Sequence, residues 1–422
     1  MKRELAFRLL RRILPDPPWD EDRLRSTLKD LQVLADQKYN RYEMYQPARL
    51  FFENLYLFLN KLKEEHRTAA LDFIHRRLIF ISREEFQQLA HVLYYDRIRQ
   101  EQLDLASKKS GIPRHLLARL SQSSELQRMK RASLYIALSD GARIDYFRRQ
   151  NLEINNEQVL AAYYSSPDKI KDAQAKLRAA VNDIAAQFEC IFLLDDFCGS
   201  GRTLLREVVT AIVAGNGVLP EVPASLRGKL SCDTEKRELE WIYRGALTVE
   251  ESRELAEYGK HLNEIAVCIE EIRQRCIVRE TVMKGALQKI STSKIREVIA
   301  PEASICFAPL LATEYSVKRL GLLTPRLPKP FDGLRCIPAA QLPNSVRILP
   351  GDTQIGDVCE TYYDTSLEDE HTSNVKYGYD GCGLPLILHH NTPNNSLYFL
   401  WARKWGFPLF PRYERHGREV RT

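Results

Sequence analysis

The sequence predicts an α/β protein: a parallel-sheet core, preceded by a helical N-terminal region and interrupted by a helical insertion. Three observations lead there. Short, largely apolar runs at Leu134–Leu138, Ile191–Leu194 and Ser304–Leu311 have the length of strands buried on both faces. Each runs into a turn of small or polar residues. Helix-period segments lie between the runs, as crossover connections require.

Taken in order, residues 1–131 read as helical. Leu5 to Leu14 has helical spacing, and Pro15, Pro17 and Pro18 stop it. Phe51, Phe52, Leu55, Tyr56, Phe58 and Leu59 make an apolar face wide enough to be core. Ser82-Arg83-Glu84-Glu85 is a capping box opening a helix toward Ile98. Leu105 to Leu120, with its Gly111-Ile112-Pro113 turn and the basic Gln127–Arg131 segment, has a helix-turn-helix look. It reads as two packed helices leading to the first strand.

Residues 132–323 are the expected α/β core, with about 207–303 read as the helical insertion. Residues 324–422 begin with a loop-like connection holding Pro325, Pro328, Pro330, Pro338, Pro343 and Pro350, with two short strands. The last sheet elements follow at Gly383–Leu388. An Asn-rich motif, His389-His390-Asn391-Thr392-Pro393-Asn394-Asn395-Ser396, comes next.

The chemistry concentrates after Ile191–Leu194. Asp195 and Asp196 are followed by Gly199-Ser200-Gly201-Arg202-Thr203, and then by Leu204, Leu205, Val208 and Val209 at helical spacing. A glycine loop between a strand and a helix N-terminus lets backbone N–H groups approach an anion. Paired carboxylates beside it accept from vicinal hydroxyls. The combination suits a phosphorylated ribose or a nucleotide, outside the carboxyl end of a parallel strand. His389, Asn391, Asn394 and Asn395 supply imidazole and amide groups for a base or ribose edge, or else side-chain caps of a turn.

Two families write nearly this string. Type I phosphoribosyltransferases carry four apolar residues, two acids and a Thr/Gly-rich loop for a 5′-phosphate. DNA amino-methyltransferases carry Asp-Pro-Phe-x-Gly-Ser-Gly, which Asp195–Gly201 resembles except at Asp196, and their second motif has a match in Asp16-Pro17-Pro18-Trp19. That second motif should follow a buried strand, whereas Asp16 follows a helix and sits in a Pro-rich stop.

Ser139-Asp140-Gly141-Ala142-Arg143, Asp195-Asp196-Phe197-Cys198-Gly199-Ser200-Gly201, Ala312-Thr313-Glu314 and the Asn-rich motif, in that order, resemble the PRTase-CE family. These are phosphoribosyltransferase-like effectors of bacterial conflict systems. The resemblance implies a type I phosphoribosyltransferase-like fold and chemistry at C1 of a ribose phosphate. It further implies that Ser139–Arg143 faces a diphosphate, with Arg148 or Arg149 in support. Asp195 and Asp196 then hold the ribose hydroxyls, and Gly199–Thr203 holds the 5′-phosphate. Mg2+ is expected through ligand oxygens, with no direct protein ligand. The implied partners are a nucleotide or sugar phosphate and a defence-system protein, either a reverse transcriptase with its nucleic acid or a sensor. Phe197-Cys198-Gly199 after the acids, Arg202 in the loop and the long insertion depart from other type I enzymes. A non-catalytic sugar-phosphate-binding module and, less well, a methyltransferase are the alternatives.

With 422 residues and 44% hydrophobic content the chain can bury a sizeable core. It shows neither a signal peptide nor an apolar run of membrane-spanning length. Its 9 cysteines form no Cys-x-x-Cys pair, so reduced thiols and a cytoplasmic location are expected. Cys198 reads as a small packing residue. A net charge of +6 permits nucleic-acid contact without arguing for it. Arg403, Lys404, Arg412, Arg415, Arg418 and Arg421 form a basic tail.

Overall fold

The computed structural model describes residues 2–162, 165–214, 231–233, 238–242, 275–284, 286–327, 329–352, 355–363, 375–402 and 407–412. The protein is α/β, and among the described residues there are twelve strands: β1 Ile79–Ile81, β2 Ser133–Ala137, β3 Val159–Ala161, β4 Phe188–Cys198, β5 Arg206–Ala214, β6 Ser231–Asp233, β7 Glu238–Ile242, β8 Arg275–Lys284, β9 Ile299–Thr313, β10 Arg335–Cys336, β11 Ala340–Leu342 and β12 Leu386–Leu388. The chain divides into two compact units. Met1–Phe86 and Asn344–Thr422 make the first, and the described chain between them contributes to the second.

The second unit holds a parallel sheet of order β3-β2-β4-β9-β10, with β11 also on β9. β2 is buried along its whole length, and β4 from Cys190 to Asp195. A strand covered on both faces reads as an unbroken apolar run, which is why these segments were legible. Tyr135 of β2 stacks on Phe192 of β4, with ring centroids 5.5 Å apart. The buried Gln158 amide donates to the carbonyls of Lys130 and Ser133, tying the helix before β2 to the turn before β3. β10 and β11 are the two short strands of the Pro-rich connection, and they extend the core sheet past residue 323.

The helix-turn-helix look resolves into ordinary packing. The helix Arg99–Ser110 ends on Gly111 at φ +70°, and the helix Ser124–Arg131 leads straight into β2. Four basic residues of the two helices are matched: Lys109 and Arg128 meet Glu189, Lys130 meets Glu153, and Arg131 meets Glu157.

Of the expected helical insertion, residues 215–230, 234–237, 243–274 and 285 lie outside the described residues. Of its described part, β5, β6, β7 and β8 form an antiparallel sheet of order β6-β7-β5-β8, and the helix Ala286–Thr292 follows. Val208, Val209, Thr210, Ile212 and Val213 in β5, and Ile277, Val278, Thr281 and Val282 in β8, are β-branched. Such residues lose rotamer freedom in a helix and fit a pleated surface, and here they outweigh the i, i+4 spacing that suggested a helix.

In the first unit, both ends of the chain share one apolar core, from Ala6 to Phe80 and from Ile348 to Phe410. The linear division at residues 131 and 324 is therefore not how the described chain packs. Phe51, Phe52, Leu55, Phe58 and Leu59 are buried in this core, as the aromatic face required. The Ser82–Glu85 capping box forms with both reciprocal bonds, at 2.8 and 3.2 Å. β12 pairs in parallel with β1, not with the sheet of the second unit. Only a tertiary partner this distant in sequence could place it there.

Asp16 lies in the turn between the helices Arg3–Leu10 and Glu21–Gln37, exposed and ion-paired with Arg11. Trp19 is fully buried beneath the Arg23 guanidinium. The segment is a helix connector anchored by one aromatic ring. Asp16→Ala is expected to cost under ~1 kcal/mol in denaturant unfolding, as exposed ion pairs do, and to leave cellular activity at the wild-type level.

Candidate active site

β4 and β9 outrun β2. β2 pairs with β4 only as far as Ala137 opposite Leu194, with Leu138 N–H on the Leu194 carbonyl at 3.0 Å. β4 and β9 stay paired on to Cys198 opposite Ala312. Asp195 and Asp196 thus occupy the step where the sheet narrows. The chain passes from β2 outward to β3 and returns to β4, so β2 and β4 flank the topological switch point.

Asp195 is 4% exposed. Its carboxyl accepts from the Ser139 hydroxyl at 2.7 Å and from the Asp196 N–H at 3.1 Å. Burial, and then the adjacent Asp196 charge, push it well above the usual carboxylate range, against the Ser139 hydrogen bond. Asp196 is half-buried and accepts from the Phe197 N–H at 2.9 Å. The two acids therefore differ in environment.

Ser139 opens the first predicted loop, so the Ser139–Asp195 bond brings both sequence motifs together. Asp140–Ala142 is a single 3-10 turn, with Gly141 and Ala142 buried. Arg143 sits at φ +45°, a left-handed conformation uncommon outside glycine, and its guanidinium lies 5.9 Å from the Tyr146 ring. Arg148 and Arg149 fall in the last turn of the helix Ile144–Gln150.

The glycine loop departs from expectation in one respect. No helix follows Thr203 directly, because β5 begins at Arg206. Instead the Ala286 N–H donates to the Thr203 carbonyl at 3.0 Å and the Leu287 N–H to the Leu204 carbonyl at 3.3 Å. The helix Ala286–Thr292 thus begins on the loop, and the antiparallel sheet is spliced between them in sequence. With those two amides committed, the helix end adds little to an anion site, and the backbone of the loop carries that role.

Gly199, Ser200, Gly201 and Arg202 are buried, and Thr203 is exposed. Three consecutive carbonyls are held by residues at the end of β9 and on the helix Glu314–Leu323. The Ser316 hydroxyl donates to Cys198 at 3.0 Å, the Thr313 hydroxyl to Gly199 at 2.6 Å and the Arg319 guanidinium to Ser200 at 2.6 Å. In a trans peptide the N–H points opposite the preceding C=O. The N–H groups of Gly199 and Ser200 are therefore turned away from these donors, while the Gly201 N–H acts on the Cys198 thiol. Gly201 takes φ +81°, and a Cβ there would lie 3.1 Å from Leu320, so its glycine requirement comes from this helix. Cys198 is buried in the core, its thiol pushed up to about 12 by desolvation. It is a packing residue.

Sequence reasoning missed Ser316 and Arg319. The signal was present: Thr313, Ser316 and Arg319 recur every three residues from the helix N-cap, so they share one face. The Asn-rich motif lies in the first unit, as a buried turn. Asn395 donates to the Tyr379 carbonyl at 3.0 Å, Asn391 accepts from the Thr392 N–H at 3.0 Å, and Ser396 donates to the Leu386 carbonyl at 2.5 Å. His389 is 1% exposed with its ring 5.2 Å from Phe86, and Asn394 is half-buried. These contacts support the turn-capping alternative for Asn391 and Asn395. Of the basic tail, Arg412 donates to the Thr392 carbonyl at 2.8 Å; Arg403, Lys404, Arg415, Arg418 and Arg421 lie outside the described residues.

Among the described residues no three His, Cys, Asp or Glu side chains are grouped to hold a metal ion, and no helix is long and apolar enough to cross a membrane.

A parallel α/β core with paired acids and a glycine loop at its switch point has the architecture of a phosphoribosyltransferase-like protein. The PRTase-CE family model matches residues 57–412, and the chain belongs to that family. No curated protein and no solved structure matches it.

Gly201→Val is expected to abolish anion binding and to destabilise the fold, because valine is strained at positive φ and meets Leu320; calorimetric titration and denaturant unfolding read the two effects. Asp195→Asn tests the buried acid. A carboxyl raised in the folded state contributes stability that is present below its unfolded pKa, ~3.9, and lost as pH rises toward the raised value. The ligand-free Asn variant should be more stable than wild type at pH 7, with the gap closing below about pH 4.

Proposed function

We propose that this chain is an enzyme acting at C1 of a ribose phosphate, either phosphoribosyl pyrophosphate or a nucleotide, and serves as the toxic effector of a bacterial antiphage system such as a retron. The observation that carries this reading is the Ser139–Asp195 hydrogen bond of 2.7 Å, which joins the two loops at the switch point. In this reading Asp195 and Asp196 accept from the 2′- and 3′-hydroxyls. The glycine loop Gly199–Thr203, through the outward N–H groups of Gly199 and Ser200 with Arg202 and the exposed Thr203 hydroxyl, holds the 5′-phosphate. Ser139–Arg143 faces the diphosphate. The chain's work is positioning and electrostatic stabilisation of an oxocarbenium-like transition state.

The donor set fits magnesium brought in on substrate oxygens. Two adjacent carboxyls, the buried one raised by desolvation and by its neighbour's charge, suit a diol whose own oxygens carry the cation. The ion would neutralise charge on the departing diphosphate. The expected cellular partner is a reverse transcriptase with its nucleic acid, or a sensor protein, that restrains the effector; the expected location is the cytoplasm.

The burial of Gly199–Arg202 favours one second reading, a module that binds a sugar phosphate without chemistry. A thermal-shift panel with phosphoribosyl pyrophosphate plus magnesium, nucleotides and S-adenosylmethionine separates the readings. A ligand at a hundredfold its Kd should add ~2.7 kcal/mol. Stabilisation by phosphoribosyl pyrophosphate or a nucleotide with diphosphate or base release supports the enzyme. Stabilisation without release supports the module, and a response to S-adenosylmethionine alone overturns both. Asp195→Asn with Asp196→Asn should lower affinity or rate by more than about a hundredfold, at ~1.5–3 kcal/mol per charge-assisted bond, in a folded protein.

A further inference from the structure

Arg319 is 3% exposed, deep in the second unit. Its one hydrogen bond goes to a neutral acceptor, the Ser200 carbonyl at 2.6 Å, while its buried Nε has no hydrogen-bond partner among the described residues. No carboxylate of the described residues forms an ion pair with it. Around it Thr313 is committed to Gly199 and Ser316 to Cys198, while the buried Asp195 carboxyl, which acts with Arg319 on the Cys198 thiol, accepts from Ser139 and Asp196 instead. A full positive charge in this setting is costly unless an anion compensates it. The Ser200 carbonyl alone needs no arginine, since hydroxyls hold the two carbonyls before it.

We infer that Arg319 is a positioning residue whose buried charge is matched by the phosphoryl group of the substrate across the glycine loop. This rests on the reading of Gly199–Thr203 as a phosphate site and adds to it the source of its charge. The guanidinium holds the Ser200 carbonyl, and with it the third peptide of the loop, while the Gly199 and Ser200 N–H groups face away from the three donors. A phosphoryl dianion there gains the amide hydrogen bonds and a cation that water does not screen. The ligand-free protein carries the uncompensated charge, and the ligand removes the penalty. Loop geometry and anion affinity are thus set by one side chain.

The test uses the full chain with inorganic phosphate, and separately adenosine 5′-monophosphate, as probes, followed by calorimetric titration and thermal unfolding. Arg319→Gln keeps a donor for the Ser200 carbonyl and removes the charge; Arg319→Lys restores the charge. For Gln, affinity for both probes should fall at least tenfold, while the ligand-free protein melts at or above the wild-type temperature. Lys should recover most of the affinity. A Gln variant that binds as wild type does, or one that melts lower while binding undiminished, overturns the inference and leaves the phosphate site standing. If wild type binds neither probe, the phosphate-site reading itself is overturned, and the charge assignment with it. Should Gln fail to fold, phosphate titration of the Lys variant against wild type decides: unchanged affinity supports a charge role, and a tenfold loss assigns Arg319 to guanidinium-specific packing.

Discussion

The three hydrogen bonds from Thr313, Ser316 and Arg319 to successive carbonyls of Cys198, Gly199 and Ser200 are the constraint on which the rest of the site depends. A glycine-containing loop has many backbone states open to it, and fixing one costs conformational entropy. Here one helix start supplies three donors at its own three-residue spacing. Thr313 serves twice, since its hydroxyl also accepts from the Ser316 N–H at 2.9 Å as the helix N-cap. Helix initiation and loop conformation are therefore one event. Because β9 carries Thr313 and pairs with β4 up to Cys198, sheet register also fixes where the donors meet the loop.

The antiparallel sheet enters the chain at the one point where this loop would pass to its helix. Leu205 ends the loop, β5 starts at Arg206, and the chain returns after β8 to begin a helix whose first amides meet Thr203 and Leu204. An insertion at that junction keeps the α/β core intact, since the core elements still meet in space. It also puts a separate sheet within a few residues of Thr203. Chain order and spatial order part company here, and the family resemblance extends across the break, from residue 57 to residue 412.

In the first unit the same principle operates between the chain ends. Phe410 packs among Tyr39, Tyr42, Tyr45, Phe51 and Phe80, and β12 adds to β1 by parallel pairing. The Asn-rich motif stabilises this closure: Tyr42 shares a hydrogen bond with Thr392 at 2.8 Å, and Asn395 caps the turn at Tyr379. Polar residues in a motif can thus be consumed by turn structure, because buried backbone groups must be paired.

By itself the sequence determined the α/β class, the strands β2, β4 and β9, the capping box at Ser82, the core role of the Phe51–Leu59 face and the paired acids with their glycine loop. Each is local: a buried parallel strand needs only an apolar run, a cap needs a hydroxyl three residues from a carboxylate, and a loop needs glycine where φ is positive. Tertiary structure decided what locality cannot carry. The β-branched β5 became a strand once β7 and β8 paired with it, β12 joined β1 across three hundred residues' separation (79 to 386), and Ser139 met Asp195. The burial that raises the Asp195 carboxyl and leaves Arg319 without a paired carboxylate is likewise a property of the assembled core. Sequence names the charged groups, and only packing sets the dielectric and the partners in which those charges act.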